Sequence, residues 1–120
     1  MSIKILRGLP LGLFLLLLSC NKDVENAKIV GFVFDNTNKK PIGNAKLAVT
    51  NWYYEGGDYD SYNKSEKYII VSNADGRYGI TFRKSAFVEV SVFKDGYNTM
   101  SLGKEIYKDY IELDFYLQRK

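Results

Sequence analysis

The chain has 120 residues, which is room for one domain and not two. One cysteine and no histidine exclude an intrachain disulfide, a metal site built on thiolates, imidazole ligation and imidazole general-base chemistry. The formal charge is +3, but beyond residue 19 the side chains carry 15 Lys+Arg against 14 Asp+Glu, without the basic stripe that a nucleic-acid partner requires.

Residues 1–19 have the layout of a cleaved export signal. Lys4 and Arg7 supply positive charge, and Leu13-Phe14-Leu15-Leu16-Leu17-Leu18 lies in an apolar run too short to cross a bilayer. Leu17-Leu18-Ser19-Cys20 then resembles the bacterial lipobox. That resemblance implies cleavage before Cys20 and acyl chains on its sulfur and new amine. Two or three acyl chains make an effectively permanent membrane anchor. No other cofactor is expected. Residues 20–27 are polar and read as a tether. Lys22-Asp23 resembles the short export signals of Gram-negative surface lipoproteins, which implies an outer-membrane protein facing outside the cell rather than the periplasm.

From residue 28 to residue 120 the pattern is that of one all-β domain, with short apolar or alternating runs between turn residues. Strands are expected at 29–34, 45–54, 67–72, 78–82, 87–93, 97–102 and 110–117. Leu47, Val49 and Asn51 share one face of the second, and Val88, Val90 and Val92 one face of the fifth. In the last, Ile111, Leu113, Phe115 and Leu117 face one way and Glu112 and Asp114 the other. Asn73-Ala74-Asp75-Gly76 reads as a hairpin turn and Asp95-Gly96 as another turn, since Gly accepts positive φ. The expected architecture is a seven-stranded antiparallel β-sandwich, immunoglobulin-like or transthyretin-like.

Several punctuation residues narrow that choice. Gly31-Phe32-Val33-Phe34-Asp35, Pro41-Ile42 and Ala45-Lys46-Leu47-Ala48-Val49 come first. Ser72, Asp75-Gly76, Tyr78 and Gly96-Tyr97 follow in order. Together they resemble the carboxypeptidase regulatory-like domain over residues 29–117. The resemblance implies a transthyretin-like fold. It also implies an accessory, binding or stabilising role beside peptidases or outer-membrane receptors, with no catalytic residues to carry over.

The stretch from Trp52 to Asn63 is longer and more aromatic than that family requires. Trp52, Tyr53, Tyr54, Tyr59 and Tyr62 are candidates for a platform that binds a glycan or an outer-membrane protein. Glu55, Asp58 and Asp60 supply hard oxygens for Ca²⁺ but lack the ligand count and the glycine of an EF-hand loop. Glu89 and Glu112 fall at solvated strand positions, and no nucleophile motif or phosphate loop appears, so an enzyme is not expected. The expected function is a membrane-anchored, non-catalytic binding or scaffolding lipoprotein. The alternative is a carbohydrate-binding surface lipoprotein that uses loop 52–63.

Overall fold

The computed structural model describes residues 23–54 and 64–120. Every regular element among them is a strand: β1 (Val24–Asp35), β2 (Lys46–Tyr53), β3 (Lys64–Val71), β4 (Arg77–Ser85), β5 (Phe87–Phe93), β6 (Met100–Glu105), β7 (Tyr110–Glu112) and β8 (Phe115–Leu117). One sheet has β1 at its centre, with β4 antiparallel on one side and β7 and β8 parallel on the other. The second sheet runs β3-β2-β5-β6, all antiparallel. The two inner faces close on one core. Ile29, Val33, Phe82, Ile111, Phe115 and Leu117 of the first sheet meet Leu47, Val49, Val88, Val90 and Val92 of the second.

The sandwich expected from sequence is present, with four corrections. The strand expected at 29 starts at Val24, because Val24–Ala27 pair with β4 and Ala27 is fully buried. Part of the expected tether is therefore sheet. The final strand is two strands, and they pair in parallel with β1, so the first sheet is mixed. The sixth strand starts at Met100, whereas Tyr97 sits in an isolated bridge to Arg119. The Asn73–Gly76 turn is tight, with Gly76 at φ 76°, but it makes no hairpin. It carries the chain from one sheet to the other, since β3 pairs with β2 and β4 with β1.

The break between β7 and β8 has an identifiable cause. Leu113 still donates its amide to the Val30 carbonyl, at 2.8 Å. Its own carbonyl instead accepts the Tyr78 hydroxyl, at 2.5 Å. The Phe32 amide is satisfied by the Asp114 carboxylate, at 2.9 Å, so a side chain substitutes for the backbone in the ladder. Burial, and then the Asp114 charge, push the Tyr78 hydroxyl well above the usual tyrosine range, so it stays a donor.

Ser72 fastens the crossover from the first sheet to the second. It is buried; its Oγ accepts the Ala45 amide and donates to the Ile42 carbonyl, both at 2.9 Å. Ser72→Ala strands two buried backbone groups and should cost about 2 kcal/mol. Chemical denaturation checks this, and an unchanged midpoint would show that the loop repairs itself.

Candidate functional site

Strand alternation turns Val33 and Asp35 inward and leaves Phe32 and Phe34 on the outer face of the first sheet. β8 sets Tyr116 directly beside Phe34. The Phe32 and Phe34 rings stack at 5.4 Å and 20°, and those of Phe34 and Tyr116 at 5.2 Å and 26°. Cations close both ends of the row. The Arg77 guanidinium lies 5.6 Å from the Phe32 ring centroid, and Lys39 Nζ lies 5.2 Å from that of Tyr116. Lys39 is held there by bonds to the Asn36 carbonyl at 2.7 Å and to Asn36 Oδ1 at 2.9 Å. Phe34, Asn36, Lys39 and Tyr116 line an open, mostly apolar depression of about 480 Å³. A site with an aromatic floor and amide and ammonium groups at its rim can recognise one sugar ring or one side chain of a partner.

Asp35 fixes the geometry beneath that depression. Its Oδ2 accepts the Tyr97 hydroxyl and Arg119 Nε, each at 2.7 Å. Its Oδ1 accepts the Thr37 amide at 2.7 Å and the Asn38 amide at 3.2 Å, which shapes the loop carrying Asn36 and Lys39. Led by the Tyr97 bond, these donors outweigh desolvation and hold the Asp35 carboxyl well below the usual range. The same contacts push Tyr97 and Arg119 up. A carboxylate committed to four donors is a fastening, not a proton shuttle.

The candidates from residues 52–63 are distributed differently. Trp52 lies on the outer face of the second sheet, where its Nε1 donates to Glu89 Oε1 at 2.9 Å. Tyr53, its neighbour along β2, points to the opposite face. The Tyr54 amide bonds Asp23 Oδ1 at 2.8 Å, so Asp23 of the expected export signal also has a structural role. The described part of the stretch thus does not bring its three rings onto one face. Cys20, Tyr59 and Tyr62, and the calcium candidates Glu55, Asp58 and Asp60, lie outside the described residues. Glu89 and Glu112 belong to different sheets and form no catalytic pair. Among the described residues no three metal-ligating side chains converge.

The Phe32-Phe34-Tyr116 row was missed in the sequence. Its signal was present: two phenylalanines at the outward positions of an alternating strand break the usual inward placement of apolar side chains.

No known protein family and no curated protein matches this chain. Solved structures do. Catechol 1,2-dioxygenase from Acinetobacter radioresistens aligns over 81% of this chain and 53% of its own length, at 13% identity and TM-score 0.65. The enzyme from Acinetobacter sp. ADP1 aligns over 82% and 53%, at 11% identity and TM-score 0.61. The group B streptococcus pilus 2b backbone protein aligns over 78% and 41%, at 16% identity and TM-score 0.59. The chain therefore spans about half the length of these dioxygenases. Identities this low establish a shared β-sandwich fold and nothing about activity.

Proposed function

We propose that this chain is a lipid-anchored, non-catalytic module of the carboxypeptidase regulatory-like kind. It presents a binding or scaffolding surface on the outside of the bacterial outer membrane. The supporting observation is the position of the first strand. Asp23 is already bonded to the sandwich, and β1 runs from Val24 to Asp35. Only Asn21 and Lys22 separate Cys20 from Asp23, three Cα–Cα steps with a reach of roughly 11 Å at most. A lipid on Cys20 would hold the Val24 end close to the membrane. The Asp35 end, with the aromatic row and its depression, would stand about 35 Å further out. The anchored end would fix position and the far end would meet a partner.

Globomycin treatment should leave the export segment uncleaved, and Cys20→Ala, which lacks the acceptor thiol, should carry no acyl mass. If Cys20→Ala partitions into the detergent phase just as the wild type does, the anchor is wrong. Protease treatment of intact cells reads orientation: rapid cleavage supports the outer surface and full protection opposes it.

A second reading is glycan binding by the stretch 52–63, of which Trp52, Tyr53 and Tyr54 are half-buried. Tyr59→Ala combined with Tyr62→Ala should then abolish signals on a glycan array. Phe34→Ala combined with Tyr116→Ala asks the same of the outer row.

A further inference from the structure

The second sheet ends in an edge strand that differs from the other sheet edges. β4 carries Arg77, Arg83 and Lys84, and β6 carries Lys104 and Glu105. β7 and β8 are three residues each, with a break between them. Charge and interruption are the usual means of blunting an edge. β3 uses neither in its second half. After Lys67 it reads Tyr68-Ile69-Ile70-Val71, with Ile69 66%, Val71 56% and Tyr68 42% exposed.

The backbone shows which groups face that edge. Ser72 directs its amide to the Ala45 carbonyl and its carbonyl to the Asn44 amide, both at 2.9 Å and both on the β2 side. Trp52 directs its carbonyl to the Ala86 amide, at 2.8 Å, on the β5 side. Carried along the β2–β3 register, both bonds give the same alternation. Glu66, Tyr68 and Ile70 bond β2. Lys67, Ile69 and Val71 turn their N–H and C=O groups outward. Among the described residues β3 pairs only with β2.

We propose that β3 pairs antiparallel with β3 of a second copy of this chain, about a two-fold axis at Ile69. The register follows from the side chains. Centring on Ile69 sets Ile69 against its counterpart, Tyr68 against the second copy's Ile70, and Lys67 against the second copy's Val71. Three outward-facing residue pairs then supply about six backbone hydrogen bonds. Centring on Lys67 would set ammonium against ammonium, which is destabilising. The Ile69 register lays apolar on apolar and leaves each lysine stem along a valine. One strand pair covers less than the ~800 Å² per partner of a standard interface, so the dimer is weak in dilute solution. Confinement at a membrane raises the local concentration in its favour.

Crosslinking in intact cells tests this on the full chain. Ile69→Cys treated with a short bismaleimide should yield a dimer band, and Thr81→Cys on β4 should not. The wild-type lane reads the anchor separately: an acylated Cys20 has no thiol, so a wild-type dimer would indict the lipid assignment and not the pairing. Within Ile69→Cys, Val71→Lys places a second ammonium opposite Lys67 and should reduce the dimer by about three- to tenfold. Val71→Glu places a carboxylate there and should preserve it. Both substitutions sit on an exposed face, so folding is retained. No dimer above the Thr81→Cys level overturns the pairing, as does a crosslink to a different protein. Equal losses in Val71→Lys and Val71→Glu overturn the register.

Discussion

Replacing Gly31 by alanine should destabilise the fold by about 3 kcal/mol or more and lower Tm by roughly 15 °C. Gly31 lies on the inner side of β1, between the β4 strand and the β7–β8 break. A methyl group there would lie 1.9 Å from the Leu113 carbonyl oxygen, 2.7 Å from the Leu113 carbonyl carbon and 3.0 Å from the Tyr78 ring. None of these can yield cheaply. The Leu113 oxygen is held by the Tyr78 hydroxyl, and its amide by Val30. Moving the carbonyl breaks the hydrogen bond of a buried tyrosine and disturbs the Asp114–Phe32 link beside it. Gly79→Ala is the matched control. Its methyl would meet Val30 Cγ1 at 3.5 Å and the Ile29 carbonyl oxygen at 3.9 Å, both ordinary contact, and φ there is not positive. That change should be neutral or stabilise slightly, by up to about 1 kcal/mol, because alanine narrows the unfolded ensemble. Thermal and urea melts of the two variants decide the matter. Equal effects would mean that the space around Leu113 is softer than its hydrogen bonds imply.

Much of this architecture was legible in the sequence, and what was not has a common cause. The alternation of β5 and the shared face of Leu47, Val49 and Asn51 in β2 were readable because each is local, and the structure turns that face of β2 inward. Asn51 sits in the core because its Nδ2 reaches the Lys84 carbonyl at 2.8 Å. The positive φ of Gly76 and Gly96 was equally readable, because turn chemistry lies within four residues. The parallel pairing of β1 with β7 and β8 joins residues 82 positions apart, and no periodicity reports it. The same separation hid the outer aromatic row, since Phe34 and Tyr116 meet only once that register is known. The stretch 52–63 drew notice for the consecutive Trp52, Tyr53 and Tyr54, yet consecutive strand residues point to opposite faces. Gly31 and Asp35 fall between these cases. Both were visible as motif letters, but their reasons lie in Leu113, Tyr97 and Arg119, at the far end of the chain.

Asp35→Asn should lower Tm at neutral pH, by on the order of 10 °C, and flatten the acid limb of the stability profile. The sign follows from the direction of the shift. Asp35 has a folded pKa depressed below its unfolded value. Its contribution is therefore fully present above the ordinary carboxylate range near pH 4. It is lost as pH falls from there toward the folded value. Tyr97 runs the other way: its folded pKa is raised, so its share persists at neutral pH and disappears in strong alkali. The asparagine variant separates the two jobs of the carboxylate. Its Oδ1 can still receive the Thr37 and Asn38 amides and keep the turn. At the other position an NH₂ group faces Arg119 Nε, a donor against a donor. Adding Arg119→Met removes that conflict and should recover part of the loss, the signature of a coupled pair in a double-mutant cycle. Urea melts from pH 7 down to about pH 2 on the four proteins of that cycle test both points. A wild type whose acid limb matches that of Asp35→Asn would show that other carboxylates set the acid sensitivity. Additive losses would show that Arg119, half exposed at its own end, is not fastened by Asp35. Because Asp35 also shapes the loop bearing Asn36 and Lys39, Asp35→Ala, which removes both oxygens, should loosen the Lys39–Tyr116 contact and with it the rim of the depression. The fastening that stabilises the sandwich thus also presents its outer surface.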